Sequence, residues 1–459
     1  MQYRGYYITL MRMPLMGLPE WKDAVECFQE DGANTLILWM GGGFRSKKYP
    51  VTWQYNRGHK NVQQDFVREL IDYAHGKGVR VLLAITPFGY DGVNRYTEEH
   101  PELRAVRADG RPNNAFGIHC WGVNLCPSKA ESQRFMLEYT RELLFGFYPN
   151  ADGLMLESSD YAVCHCGGCR GHFFEKEFAF TRRISDELWQ RNPQATILVY
   201  PHYFTGADVK LPGFFETKAA ALPFDSRWTL FFTPHSAHID EGLLRRAPTS
   251  VWWNDAPALG TPWGIRDGVR KARQHGISGY LPSLEGYSYR MEREEFGARH
   301  LVGQRLKPFG QDWLADGASP YRQLLVRVQR LAYREFVRHP ELSDEEFRQI
   351  VGREFFGGAS EQSKVSDLLF LQEGAYQGRN WASGSPLVQP QILLGGGPPE
   401  KWPRQQMAEY GAKLRRLREI TERYERAASK DEQEMHHIAA FVLQRWRDLI
   451  PSVLDSLHE

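Results

Sequence analysis

Charge of one sign, long apolar runs and paired cysteines are all scarce in this chain, and each scarcity removes a class of function. Lysine and arginine number 57 against 56 aspartates and glutamates, a formal net charge of +1 over 459 residues. That balance leaves no electrostatic footprint for nucleic acid or for an anionic membrane surface. No stretch approaches the roughly 20 apolar residues that span a bilayer. The opening MQYRGYYITLMRMP lacks a charged-then-apolar leader pattern and reads as a first strand, so a cytoplasmic location is expected. Six cysteines are too few for a disulfide framework, and three of them, Cys164, Cys166 and Cys169, crowd into one loop.

What is abundant is aromatic. Phe, Trp and Tyr make up 13% of the chain, with 13 tryptophans. Such rings fill large cores, and they also serve as stacking platforms for the apolar faces of sugars. The length accommodates two or three domains, or one large α/β barrel with an appendage.

The first 290 residues alternate between short apolar runs and amphipathic stretches. The runs fall at Tyr6–Leu10, Thr35–Met40, Arg80–Ile85, Gly153–Glu157, Thr196–Tyr200, Thr229–Thr233, Ser250–Trp253 and Ser278–Leu281. Helical spacing occupies intervals such as Pro19–Asp31, Gln64–Lys77, Ser128–Phe147, Gly171–Gln190 and Ile265–His275. Ser128-Lys-Ala-Glu131 reads as a capping box. Asp31-Gly, His75-Gly-Lys-Gly and His275-Gly mark helix ends, because glycine supplies the left-handed closing residue. Eight strand–helix units predict a (β/α)8 barrel, with a doubly wound sheet as the alternative. Beyond Pro320 only helical segments follow, broken by the Gly/Pro-rich stretch Ser383–Pro403. The expected division is a catalytic barrel over 1–310 and an all-α C-terminal domain over 311–459.

In such a barrel the carboxyl ends of the strands form the active site. Strand 2 ends in Trp39 and a Gly41-Gly-Gly loop. The insertion after strand 3 carries His119, Cys120, Trp121 and Asn124, and strand 4 delivers Glu157. Strand 5 leads to His202 and Tyr203, strand 6 to His235 and His238. Strand 7 ends Trp253-Asn254-Asp255, and strand 8 runs into Glu285 and Tyr287. A carboxylate closing a buried strand is costly unless it is used. On the strand's alternation Glu157 shares a face with Met155 and Gly153, opposite to Leu154 and Leu156. Glu157, Asp255 and Glu285 thus converge on one mouth among aromatic rings. Hydrolysis of a glycosidic bond needs such a set, one carboxyl to protonate the leaving oxygen and another as base or nucleophile.

The order and spacing of Glu157, Asp255 and Glu285, with offsets of 98 and 30, resemble the bacterial α-glucuronidases and related barrel hydrolases of the β-hexosaminidase-like superfamily. Leu342-Ser-Asp-Glu-Glu-Phe, followed by Phe355-Phe-Gly-Gly, resembles the helical region that follows the barrel there, so the likeness covers about residues 1–375. The resemblance implies a glycosidase with Glu157 as general acid and with Asp255 or Glu285 positioning the attacking water. It implies short oligosaccharides as substrate, attacked from the end with inversion, and a uronic acid among the candidate sugars. Arg12, Arg45 and Lys47 are the candidate partners for a sugar carboxylate. Trp39, His119, Trp121, His202, Tyr203, His235, Trp253, Asn254 and Tyr287 are the expected substrate contacts. The departures are the lack of a basic residue shortly before the acid, where Gly153-Leu-Met-Leu stands, and a chain that opens directly on strand 1. Leu156 ahead of Glu157 mismatches the paired-acid and Asn-Glu mechanisms of neighbouring families. A barrel that binds carbohydrate without catalysis, and a polysaccharide lyase using Tyr203 or His235 as base, are the rival readings.

No cofactor is required for this catalysis. Cys164, Cys166 and Cys169, spaced C-x-C-x-x-C, could hold a structural zinc with a fourth ligand from Cys126, Cys120, His165 or His202. Reduced unliganded thiols and redox chemistry are the alternatives. The apolar stripes of the C-terminal helices suit a homodimer interface.

Overall fold

The structure, a computed structural model, describes residues 1–10, 13, 16–54, 56–58, 60–89, 92–113, 123–157, 163–205, 208–211, 215–218, 222–232, 241–254, 261–284, 319–373 and 404–449. Eight short strands close into a parallel barrel. They are β1 (Tyr3–Thr9), β2 (Thr35–Trp39), β3 (Arg80–Ile85) and β4 (Gly153–Leu156). The circuit continues through β5 (Thr196–Val199), β6 (Trp228–Phe232), β7 (Ser250–Asn254) and β8 (Gly279–Pro282). Each strand pairs with its sequence neighbour, and β8 returns to β1 through Tyr3 opposite Gly279 and Arg4 opposite Tyr280. Strands covered on both faces by protein have no polar side to show, which is why they read as near-continuous apolar runs. The (β/α)8 architecture expected from the sequence is the one observed.

Helices cover the outside. They are α1 (Leu18–Glu30), α2 (Val67–Gly76), α3 (Ala130–Arg141), α4 (Phe173–Arg191), α5 (Glu241–Arg246) and α6 (Pro262–Gln274). After β5 the described chain holds a single turn, His202–Thr205, and an antiparallel hairpin of Asp208–Leu211 with Phe215–Lys218. That is why the fifth unit reads untidily. Gly153 explains a tight seam, since a Cβ there would sit 1.9 Å from the Thr196 carbonyl oxygen on β5. The expected capping box at Ser128 does not form. The helix starts at Ala130 with Lys129 as its unbonded cap, and Ser128 turns its hydroxyl towards two cysteine sulfurs.

The ring of helices is completed by α7 (Leu324–Arg338), which lies against both α1 and α6. The division expected at 310/311 lies outside the described residues. Arg330 of α7 is the main bolt. It reaches Asp31 with Nε to Oδ2 at 2.8 Å and Nη2 to Oδ1 at 3.1 Å, and the Tyr6 hydroxyl donates to the same carboxylate at 2.8 Å. Both charges are buried, at 6% and 5% exposure. The Tyr6 and Tyr333 rings pack beside them, tilted at 44° with centroids 4.6 Å apart.

Four further helices follow: α8 (Asp344–Phe356), α9 (Gln362–Leu371), α10 (Arg404–Tyr424) and α11 (Lys430–Leu449). Ser343 and Glu346 form a capping box on α8, and Gly357 closes it at φ 74°. Fully buried Asp367 ties α9 to α10 by accepting from Arg416, Arg423 and Tyr424. The apolar stripes of α10 and α11, including Leu414, Leu417, Ile420, Ile438 and Val442, are buried within the chain. No helix among the described residues is long and apolar enough to cross a membrane.

Removing one partner of a buried ion pair strands the other charge, at a cost of about 3–5 kcal/mol. Arg330→Ala is therefore expected to lose about that much stability in urea unfolding, because Asp31 is left without its cation. A loss below about 1 kcal/mol would show that α7 is held by its apolar face alone.

Candidate functional site

Glu157 directly follows β4, and its amide still donates to the Ile85 carbonyl at 3.0 Å, so the parallel ladder carries it to the strand end. Its side chain points into the barrel. The proof is its partner: the Tyr7 hydroxyl of β1, three strands away, donates to Glu157 Oε1 at 2.6 Å. Thr86, just past β3, donates to Oε2 at 3.2 Å, and the Trp39 indole of β2 donates to the Thr86 hydroxyl at 3.3 Å. Glu157 is 7% exposed. A carboxylate so far out of water persists when donors replace its hydration, and here two hydroxyls from different strands do so.

Aromatic rings continue the circle around the mouth. Trp253 of β7 lies against Tyr7 with ring centroids 5.0 Å apart, and Phe231 of β6 packs on Trp253 at 5.8 Å. Tyr200, after β5, meets Phe231 edge-on at 4.7 Å. Among the described residues, the indole N–H of Trp253 and the side-chain amide of Asn124 are buried here without a hydrogen-bond partner. Asn124 is clamped against the loop after β3, where a Cβ on Gly89 would meet its amide nitrogen at 2.7 Å. A buried donor or acceptor without a partner costs about 1–3 kcal/mol. A polar ligand would remove that cost.

The glycine loop after β2 is a backbone-on-backbone contact. A Cβ on Gly42 would lie 2.1 Å from the Thr52 carbonyl oxygen, and one on Gly92 would lie 2.5 Å from the Gly42 nitrogen. The Tyr139 hydroxyl, kept protonated by complete burial, donates to the Gly41 carbonyl at 2.6 Å. The loop is fixed close to the strand ends.

Of the expected site residues, Glu157, Trp39 and Trp253 are together at the mouth. Tyr203 is not. It is fully buried under α4, where its hydroxyl donates to Glu177 at 2.6 Å and its ring meets Phe178. It follows β5 closely enough to read as a tip residue, but the His202–Thr205 turn directs it outward. Arg45 is exposed and donates to the carbonyls of Val62 and Gln63, so it is engaged with backbone. Lys47 is exposed too. Asp255, Glu285, His119, Trp121, His235, Tyr287 and Arg12 lie outside the described residues, and of His202 and Asn254 only the backbone is described. Tyr7 and Thr86 were missed. The signal for Tyr7 is a tyrosine on the inward face of β1, two residues before the end of the strand.

Cys164, Cys166 and Cys169 do converge, and the fourth member of the group is Cys126, which immediately precedes α3's first turn by a short loop. Elsewhere, an open groove of about 430 Å³ lies between the first turns of α1 and α2, lined by Asp65, Glu69 and Asp72 among others. It is on the flank of the helices and shares no residue with the mouth.

A closed parallel barrel with an acid and aromatic rings at its carboxyl ends defines the class of protein as a (β/α)8 barrel with a candidate site at the mouth. Solved structures with the same fold are glycoside hydrolases. A GH138 enzyme targeting pectin rhamnogalacturonan II matches with a TM-score of 0.50 at 13% identity, over 99% of this chain and 59% of that one. A GH20 catalytic module of a pneumococcal exo-β-D-N-acetylglucosaminidase gives 0.45 at 11% identity, over 81% and 97%. The GH20 exo-β-N-acetylglucosaminidase from Vibrio harveyi gives 0.44 at 12% identity, over 74% and 59%. This chain thus spans 59% of the length of the GH138 enzyme. At 13% identity the likeness to the GH138 enzyme concerns the fold alone. No family model matches the chain, and no curated protein sequence matches it.

Tyr7→Phe keeps the ring contacts and deletes the donor to Glu157. A hydrogen bond is worth about 0.5–3 kcal/mol, the upper end applying where one partner is charged, so a loss within that range in chemical unfolding is expected. An unchanged midpoint would mean that the bond carries no net stability.

Proposed function

We propose that this chain is a glycoside hydrolase that works at the carboxyl ends of its barrel strands. The observation that carries this reading is Glu157: a buried carboxyl at the end of β4, held by Tyr7 and Thr86 and ringed by Trp39, Trp253 and Tyr7. Its fold, shared with a GH138 glycoside hydrolase, supports the same class. Apolar rings beside unpartnered polar groups suit a sugar, which offers an apolar face and several hydroxyls.

In this reading Glu157 is the general acid. It gives its proton to the glycosidic oxygen as the bond to the anomeric carbon breaks. Asp255, which follows the last residue of β7, or Glu285, three residues after β8, takes a proton from the attacking water. The reaction is expected to be exo-acting and inverting, with the two carboxyls about 6.5–9.5 Å apart to admit that water. It needs no cofactor. Short oligosaccharides ending in an acidic sugar are the favoured substrates. That preference draws on the sequence resemblance and on the GH138 enzyme, which targets pectin rhamnogalacturonan II. A reducing, cytoplasmic setting agrees with the five described cysteines, all of which are free.

The test is a panel of aryl-glycosides and uronic-acid-capped oligosaccharides with wild type and Glu157→Gln. A general acid contributes about 10²–10⁴-fold, so the variant should lose turnover of that order on natural substrates while still binding them. Proton NMR of the first product should show inverted anomeric configuration. Binding without turnover in wild type would make the protein a carbohydrate-binding barrel instead. Ultraviolet absorbance from an unsaturated product would make it a lyase.

A further inference from the structure

We propose that Cys126, Cys164, Cys166 and Cys169 bind one zinc ion in a closed tetrathiolate site that clamps together the loops after β3 and β4, the strands whose ends carry Thr86 and Glu157. The four sulfurs lie within 4.8 Å of one another. Cys126 Sγ sits 3.5 Å from Cys164, 3.5 Å from Cys166 and 3.6 Å from Cys169. A tetrahedron with zinc–sulfur bonds of about 2.3 Å has edges of about 3.8 Å. A disulfide needs about 2.05 Å, and none of the four is paired that way. The observed spacing is that of ligands around a single ion, too tight to enclose a multi-metal cluster.

The surroundings are those of a ligand shell. Cys126, Cys164 and Cys169 are at most 1% exposed. The Val106 amide donates to Cys164 Sγ at 3.4 Å, and the Ser128 hydroxyl lies 3.0 Å from Cys126 Sγ and 3.3 Å from Cys166 Sγ. Donors of this kind offset the two negative charges left when a dication replaces four thiol protons, which pass to solvent. Gly168 is required for this approach, since a Cβ there would meet the Ser128 hydroxyl at 2.8 Å. The turn itself closes with the Cys169 and Arg170 amides donating to the Cys166 carbonyl. Four thiolates leave no open position, so the ion has no place for substrate and its role is structural.

That role is specific. Leu125 donates its amide to Phe88, just past β3, and Cys126 donates to Leu103, so the first ligand is stitched to the loop after β3. The other three ligands lie in the loop that begins after Glu157. The ion therefore joins the two loops that flank the candidate acid, and Asn124, whose amide has no partner, is two residues from a ligand.

Elemental analysis of the full-length protein, purified without added metal, is expected to find about one zinc per chain. A mercurial that titrates the four thiols should release it stoichiometrically. Exchange with cobalt should give the sulfur-to-cobalt charge transfer and the visible bands of a tetrahedral thiolate site. Cys126→Ser should lower the zinc content well below one per chain, and Cys27→Ser should leave it unchanged. Cys27 is a suitable control, because burial pushes its thiol up to about 12 and it lies away from the four. Should Cys126→Ser fail to fold, the wild-type measurements decide. Absence of metal from wild type, iron in place of zinc, or a mass lower by the hydrogens of a disulfide would each overturn the proposal.

Discussion

A carboxylate enclosed by a barrel of apolar strands survives there only if donors stand where water would, and those donors must come from across the barrel. Tyr7 and Thr86 meet that demand, one from β1 and one from the end of β3. The bond from Tyr7 spans the mouth, so it holds only while the barrel is closed and its strands keep their register. A one-residue slip of β1 would turn Tyr7 outward and bring Tyr6 in, since alternate residues face opposite ways. The candidate acid is thus tied to closure of the whole sheet.

Closure in turn leans on α7. Tyr6, next to Tyr7, faces outward and shares Asp31 with Arg330 of α7. The same short stretch of β1 therefore serves two layers: Tyr7 anchors the site inside and Tyr6 anchors the last helix outside. A buried ion pair gains little over an apolar pair of the same shape, because two charges must give up their hydration. What it supplies here is placement. The fork of Arg330 fits the Asp31 carboxylate at one register of α7 on α1, and a shift of a turn would leave both charges buried alone.

Much of this was legible locally. Strands covered on both faces leave apolar runs, and helix ends leave glycines, so all eight barrel strands fall within a few residues of where the sequence puts them. Alternation groups Glu157 with Met155 and Gly153, while the bond from Tyr7 is what shows that this face is the inner one. What failed did so where a side chain had two uses. Ser128 fits a capping box by spacing, yet its hydroxyl lies against Cys126 and Cys166, a choice made by a loop some 40 residues away. Tyr203 sits just past a strand, but a single helical turn swings it beneath α4 to Glu177. Tyr7 was hard to find for the opposite reason, and for the same reason the choice of Cys126 among four candidate fourth ligands stayed open. Their partners lie 150 and about 40 residues off, and no periodicity encodes which distant chain segment the barrel will bring near.

Two features bear on Glu157, one that the local pattern misses and one that it gives only in part. Tyr7 fixes the carboxyl group itself. The four cysteines bring a loop stitched to β3 against the loop that leaves β4. On the proposed reading, a carboxyl that passes a proton to one oxygen of a bound sugar has to be held to a fraction of an ångström, and long loops alone do not hold to that tolerance. A barrel strand delivers the residue to the mouth. Rigid ties on its hydroxyl-bonded side and on its loop side are what remain to set its aim, and in this fold they come from different strands, so that loosening one leaves the other in place.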